Sequence, residues 1–210
     1  MLNLKKKMIN YQKVLENTLA QIESSSGQRP SLLLHCCCAP CSSYVFEYLA
    51  PYFDITSFFY NPNISSAAEY NLRLSELRRL IGEVPSLQKI NLIEGDYKPD
   101  AFLEISRGLE SVDEGSLRCF KCYHLRLVRT AEVARELNFD YFSTTLTISP
   151  YKNAKKINEI GRELSSKFGV KYLFSDFKKN DGYKRSIELS RKYNLYRQNY
   201  CGCEFSKKDN

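Results

Sequence analysis

An apolar run that breaks directly into cysteines constrains this chain more than any other feature. Residues Leu32–Leu34 are typical of a buried parallel strand, and four cysteines follow between positions 36 and 41. Residues 44–49 then predict a helix, with Ser42 and Ser43 at positions that favour helix N-caps. The thiols are therefore expected between the first strand and the first helix after it, where open α/β sheets bind ligands and a helix terminus stabilises thiolates.

Patterns typical of strands and helices alternate along the rest of the chain. This alternation predicts the α/β class: a Rossmann-like parallel sheet with helices on both faces, plus an N-terminal helix. Neither a G-x-G-x-x-G motif nor a P-loop is present, so no nucleotide cofactor is predicted. We expect residues 1–30 to form the N-terminal helix and linker, outside the main sheet, and residues 31–210 to form a single α/β metal-binding catalytic domain. The further predicted strands cover residues 53–60, 87–93, 139–146 and 170–174, and the further predicted helices cover residues 9–24, 67–81, 100–106, 124–137, 154–168 and 183–193.

Composition indicates an ordinary globular domain with a basic surface. The 210 residues are 43% hydrophobic and 26% charged, and none of their apolar runs approaches the roughly 18 residues that a membrane span needs. The basic N-terminus is not followed by the apolar stretch of a secretory signal, which predicts a cytoplasmic protein. The net charge of +7 favours an anionic partner, with nucleic acid first, although a basic solvated surface alone would also explain it.

The eight cysteines fall in three clusters, and cytoplasmic thiols in such clusters favour metal binding over disulfides. Both a four-iron cluster and a structural zinc ion take four thiolates. Side chains of adjacent cysteines are expected to diverge, and eight thiols exceed one four-ligand site. These points predict either two metal centres close together, or one cluster and a free redox dithiol. The clusters are Cys36, Cys37, Cys38 and Cys41; Cys119 and Cys122, just before a predicted helix; and Cys201 and Cys203.

Histidines and aromatic residues add weaker signals. His35 and His124 are expected to be packed side chains rather than ligands. Several tyrosines fall at strand ends or loops near the cysteines, where they could stack on an unpaired base or simply pack the rim of the crevice. These tyrosines are Tyr60, Tyr97, Tyr123, Tyr151, Tyr196 and Tyr200.

Six sequence blocks between Leu32 and Ser206 together resemble a known family, the non-cobalamin epoxyqueuosine reductases of the QueH type. The N-terminal helix lies outside this resemblance. The blocks are LLHCCCAPC at 33–41; YNPNI at 60–64 with Glu69, Tyr70 and Arg73; RCFKCY at 118–123 with Arg126 and Leu127; TTL at 144–146 with SPYKN at 149–153; DFKK at 176–179; and YRQNYCGC at 196–203.

The resemblance implies a fold similar to the nucleotide alpha-hydrolase-like group and a specific reaction. Members of the family reduce the epoxide of epoxyqueuosine to queuosine at the wobble position of tRNA with a GUN anticodon. They use a [4Fe-4S] cluster and an adjacent mononuclear metal, which we expect to be iron, with electrons from an unidentified donor. Cys36 is outside the usual family run and is expected to be a buried thiol. The position of Cys41 can be aspartate in relatives, so the second metal has an all-thiolate protein shell or Cys41 has a redox role.

Site residues are assigned as expectations. Cys37, Cys119, Cys122 and Cys201 are expected on the cluster, with Cys38, Cys41 and Cys203 at the second metal. The expected catalytic residues are Cys38, Cys41 and the carboxylate of Asp176, and the expected tRNA phosphate contacts are Lys152, Lys178, Lys179 and Arg197.

Two alternatives stay open at this point. One is an iron–sulfur tRNA thiolase on a related fold, against which the missing phosphate loop counts. The other is a zinc-stabilised RNA-binding module, which metal and sulfide content would distinguish.

Overall fold

A five-stranded parallel sheet organises the chain in the computed structural model, which describes residues 9–25 and 27–207. The strand order is β3-β2-β1-β4-β5. The strands are β1 (Ser31–His35), β2 (Asp54–Phe59), β3 (Asn91–Glu94), β4 (Tyr141–Thr144) and β5 (Lys171–Tyr172). The helices are α1 (Tyr11–Ser24), α2 (Ala39–Leu49), α3 (Ala67–Glu83), α4 (Pro99–Ser106), α5 (Leu117–Glu136), α6 (Ala154–Phe168) and α7 (Gly182–Lys192).

Helices cover both faces of the sheet, which confirms the α/β prediction. Leu32 and Leu34 point to one face, where they pack with apolar residues of α1, α2 and α3. Leu33 points to the other face and packs against α5 and α6, as the alternation of side chains along a strand requires. Leu15 and Leu19 of α1 are fully or nearly fully buried in the first of these cores, so the N-terminal helix is part of the packed layer.

Two helices begin five or more residues earlier than the sequence pattern indicated. Helix α2 starts at Ala39 with Cys38 as its N-cap residue, and Ser42 and Ser43 lie inside its first turns. The prediction that these serines are N-caps is therefore wrong. Pro40 is tolerated because N–H groups in the first turn of a helix have no partner within the helix, so the N–H that proline lacks is not needed there. Helix α5 starts at Leu117, so the cysteines at 119 and 122 lie within this helix instead of before it.

Several strands are shorter than predicted because short 3-10 turns replace their ends. Residues 85–87 form such a turn before β3, and Thr145–Ile148 form another directly after β4. The strand order reverses between β1 and β4, whose carboxyl ends therefore flank a crevice. Among the helices of the described ranges, none is long and apolar enough to cross a membrane.

Candidate metal centre and cleft

Three cysteines at the end of β1 form a compact thiol group. The Sγ atoms of Cys37, Cys38 and Cys41 all lie within 4.8 Å of one another, and those of Cys37 and Cys38 are 3.8 Å apart. The expectation that adjacent cysteines diverge is wrong here, because the chain turns between them into α2. Four sulfurs around one metal, with bonds of about 2.3 Å in a tetrahedron, would be about 3.8 Å apart. These three residues are the three-cysteine group.

Hydrogen bonds between the thiols favour the thiolate form of one of the three. S–H groups of Cys38 and Cys41 donate to Cys37 and hold the pKa of Cys37 well below its usual range. The same interaction raises the pKa of Cys38 to about 12 and that of Cys41 well above its usual value. A thiolate is the form that binds metal, so the hydrogen bonds of this group favour the metal-binding form of Cys37.

Four further cysteines surround a small cavity beside the first group. Cys119 and Cys122 come from the start of α5, and Cys201 and Cys203 come from the C-terminal segment. Cys203 donates to Cys201 and holds the pKa of Cys201 well below its usual range, while burial raises the pKa of Cys122. This space is the four-cysteine cavity, and all eight cysteines of the chain have free thiols.

The C-terminal segment is held in place by α3 and the loop before it. The Arg73 guanidinium donates to the carbonyls of Cys201 (3.1 Å) and Tyr200 (3.3 Å), and it is paired with Glu69 at 2.7 Å. Asn63 Nδ2 donates to the same Cys201 carbonyl at 3.2 Å. Gly202 between the two cysteines has φ +102°, a region that favours glycine. The position of the C-terminal segment therefore depends on buried contacts with residues that are far away in the sequence.

A second buried arginine fixes the loop in front of α5. Arg118 Nη1 donates to the carbonyls of Leu109, Glu110 and Val112 at 2.7, 2.8 and 2.8 Å. The backbone N–H of Gly115 in the same loop donates to Cys119 Sγ at 3.2 Å. The loop thus contributes a hydrogen bond to one of the candidate ligands.

Arg126 connects the two thiol groups. This side chain is 3% exposed and lines both the four-cysteine cavity and the larger cleft next to Cys37. Its Nη1 donates to Asn61 Oδ1 at 3.1 Å, and Asn61 Nδ2 donates to the carbonyl of Cys36 at 2.9 Å. The contacts therefore join α5 to the turn after β1.

His35 is packed as expected and holds β1 to its neighbours. Its Nε2 is 3.0 Å from the Tyr60 carbonyl, which can only accept, so Nε2 carries the proton. Its Nδ1 accepts from the hydroxyl of Thr144 at 2.8 Å. Burial lowers the pKa of His35 to about 3, which keeps the ring neutral and makes it a structural group. His124 is exposed on α5, so the expectation that it is packed is wrong.

A cleft of about 270 Å³ opens above the three-cysteine group. Two of the expected phosphate-binding residues, Lys152 and Arg197, line this cysteine cleft. Burial by itself lowers the pKa of Lys152, but the interactions with Cys201, Tyr123 and Glu114 outweigh burial and raise it. Lys152 Nζ is 3.2 Å from Glu114 Oε1. Tyr151, with 74% of its surface exposed, stands at the rim.

The other predicted polar residues lie elsewhere. Asp176 and Lys179 line a separate cleft between α1 and α6, together with Tyr11 and Arg162, and Asp176 is paired with Lys178. The structure therefore does not bring the Asp176 carboxylate to the residues that line the cysteine cleft. The physical reason is that the chain after β5, the edge strand, turns towards α1 before α7 begins.

Buried polar atoms without partners bear on whether an iron–sulfur cluster fits the four-cysteine cavity. Among the described residues, four that line this cavity have a buried polar atom with no hydrogen-bond partner: Arg118 Nε, Arg126 Nε, Tyr123 Oη and Asn63 Oδ1. The N–H and O–H groups of this set can donate to sulfur, and buried donors are rarely left unpaired. Thiols with such donors around them fit a group that carries negatively charged sulfur, as an iron–sulfur cluster does.

Sequence reasoning missed how much buried arginines contribute to the site. Arg73 and Arg126 are 2% and 3% exposed, although Arg73 reads as a residue of a basic helix face. One signal was available: Arg73 lies between Tyr70, Leu74 and Leu77 at helical spacing, inside the apolar stripe of α3. A charged residue in an apolar stripe indicates a buried partner or a functional site.

Fold and site together define a Rossmann-like α/β protein whose clustered thiols can hold metal at the switch point of its sheet. Residues 32–209 match the family described as epoxyqueuosine reductase QueH. The chain is 44% identical over 207 residues to the epoxyqueuosine reductase QueH of Staphylococcus epidermidis, which covers 97% of this chain and 87% of that relative. It is 37% identical over 182 residues to the epoxyqueuosine reductase QueH of Thermotoga maritima, and this alignment covers 84% of this chain and 90% of that relative. The chain therefore belongs to the epoxyqueuosine reductase QueH family, whose members are oxidoreductases.

Proposed function

We propose that this protein reduces the epoxide of epoxyqueuosine in tRNA to the cyclopentene of queuosine, in the cytoplasm. The observation that carries the proposal is the meeting of seven cysteines from three distant stretches beside one basic cleft. Removing the epoxide oxygen takes two electrons and two protons, breaks both carbon–oxygen bonds, forms the carbon–carbon double bond and releases water. A cluster supplies single electrons at low potential, and an adjacent metal supplies Lewis acidity.

The ligand assignment is part of the proposal. Cys37, Cys119, Cys122 and Cys201 hold the [4Fe-4S] cluster, because Cys201 lines both the cavity that contains Cys119 and Cys122 and the cleft that contains Cys37. The second metal, an iron, is held by Cys38, Cys41 and Cys203. The close approach of the Cys38 and Cys41 thiols supports this assignment. Cys203 has the least support of the three, because its thiol contacts that of Cys201, which is assigned to the cluster.

The substrate enters the cysteine cleft in the proposed reaction. Lys152 and Arg197 line this cleft and can contact phosphates beside the extruded wobble nucleoside of a GUN anticodon. Lys178 and Lys179 lie further along the surface and would contact the tRNA backbone. Replacing both with Ala should weaken tRNA binding and flatten its dependence on salt. An unchanged salt slope would remove them from the interface.

The test of the function combines metal analysis with turnover. Protein purified without oxygen should contain about four irons and four acid-labile sulfides per chain, with additional metal beyond them. With a chemical reductant as electron donor, it should convert epoxyqueuosine in tRNA to queuosine, measured by nucleoside mass spectrometry. Zinc without sulfide would contradict the reductase and favour a structural RNA-binding module.

A further inference from the structure

Arg126 is a buried cation whose charge no carboxylate compensates within the described part of the chain. Its one hydrogen bond goes to the neutral amide of Asn61, and its Nε is buried without a partner. The other buried arginines of this region differ, because Arg73 is paired with Glu69 at 2.7 Å and Arg118 donates to three backbone carbonyls. A buried charge is strongly unfavourable unless an opposite charge lies close to it.

The titratable groups that act most strongly on Arg126 are thiols. Burial lowers the pKa of Arg126, but Cys122, Cys37 and Cys201 outweigh burial and raise it. Cys37 belongs to the three-cysteine group, and Cys122 and Cys201 line the four-cysteine cavity. Arg126 lines both that cavity and the cysteine cleft. The side chain is therefore placed to compensate charge at the junction of the two groups.

We infer that Arg126 is a positioning residue that stabilises the more negative, reduced state of the thiolate-bound centre through its fixed charge and its free Nε–H. The inference rests on the proposed function, since it requires a redox-active centre on these cysteines. A cation in a low-dielectric site favours the state with the extra electron, and a hydrogen bond to sulfur acts in the same direction. Arg126 thus makes the centre easier to reduce by the electron donor.

Asn61 holds the guanidinium of Arg126 in position. Its Oδ1 accepts from Arg126 while its Nδ2 donates to the Cys36 carbonyl, so the amide has both of its ends engaged. An aspartate at this position would keep the size and the acceptor for Arg126 and add a negative charge next to the guanidinium, but it would lose the hydrogen bond that Asn61 Nδ2 donates to the Cys36 carbonyl. The variant Asn61→Asp therefore cancels the charge of Arg126 without removing its side chain.

The experiment is a potentiometric titration of the anaerobically purified protein, followed by electron paramagnetic resonance, with iron and sulfide measured on each sample. Arg126→Gln should shift the midpoint potential to a more negative value, and Arg126→Lys should restore part of the shift because it keeps the charge. The control is Arg129→Gln, one turn along α5, where Arg129 is half-buried, paired with Glu132 and Glu136, and outside the lining of both spaces. It should leave the potential unchanged.

The outcomes separate this inference from the proposed function. If wild-type protein binds no redox-active centre, the proposed function and the inference both fail. If wild type carries the centre but Arg126→Gln titrates at the wild-type potential, or Arg126→Lys shifts it as far as Arg126→Gln does, the inference alone is overturned. If Arg126→Gln does not accumulate as folded protein, Asn61→Asp decides: a negative shift supports the inference, and an unchanged potential overturns it.

Discussion

Gly202 lies against Ile64 and the guanidinium of Arg73, and its replacement by Ala tests whether the C-terminal segment needs its exact path to present Cys201 and Cys203. A Cβ at this position would be 2.8 Å from Ile64 Cγ1 and 3.2 Å from Arg73 Nη1. Both neighbours are buried, with exposures of 1% and 2%, so neither can move away freely.

The expected magnitude follows from two terms. A non-glycine residue at φ +102° carries backbone strain of about 1–3 kcal/mol. Overpacking against buried neighbours adds about 1–3 kcal/mol. The C-terminal segment can avoid the strain and the overpacking by moving away from Arg73 and Asn63. It then loses the hydrogen bonds that these two residues donate, each contributing about 1 kcal/mol. We expect Gly202→Ala to lower the free energy of unfolding of the metal-free protein by about 2–4 kcal/mol and to reduce bound iron per chain.

The assay is urea unfolding of the metal-free protein together with iron and sulfide analysis of the anaerobic protein. Gly169→Ala is the matched control: Gly169 ends α6 with φ +73°, and a Cβ there would meet no atom within 4 Å. This control carries backbone strain of about 1–2 kcal/mol without a clash and should keep its metal. The reasoning is refuted if Gly202→Ala binds as much iron as wild type and is no less stable than Gly169→Ala.

Three further predictions concern the histidine, the second metal and the rim of the cleft. Burial, with the charge of Arg126, lowers the pKa of His35 to about 3. Between about pH 6.5 and pH 3, therefore, the unfolded chain takes up a proton at His35 and the folded chain does not. The free energy of unfolding of the metal-free protein should fall over this range by at most about 1.4 kcal/mol per pH unit. His35→Gln should flatten that slope in urea titrations at several pH values, and an unaltered slope would exclude His35 as its source. Cys41→Ala should lose the metal beyond the four cluster irons, whereas Cys36→Ala, at a fully buried thiol in the core, should keep all metal; equal metal contents would contradict the assignment. Tyr151→Ala should raise the KM for tRNA by a factor of about 5 to 150, which corresponds to about 1–3 kcal/mol of lost base stacking, without changing iron content. An unchanged KM would place Tyr151 outside the interface.

The local pattern of the chain was sufficient for the fold and for the choice of ligand types. Leucines 32–34 predicted the central buried strand, and α6 has the bounds that its periodicity indicated. Element ends were less predictable, because capping and tertiary packing fix them. The start of α2 shows this: serines 42 and 43 look like caps, yet the helix begins at Ala39 and both hydroxyls donate to backbone carbonyls inside its first turns.

The arrangement of the site depends on contacts between residues far apart in sequence. Cys201 reaches the same cavity as Cys122 because Arg73 and Asn63 hold the carbonyls of the C-terminal segment. Asp176 follows a strand as a site residue should, but the edge position of β5 sends it to another cleft.

The sequence by itself therefore determined the α/β class, the cysteines as the chemically important residues and the resemblance to one family, since strand and helix periodicity and motif spacing are local properties of the chain. Only the tertiary structure decided which thiols face one another, that Arg73 and Arg126 are buried among them, and which lysines line the cleft. The physical reason is that burial and charge compensation are set by which distant segments pack together, and a helix face does not specify its partner.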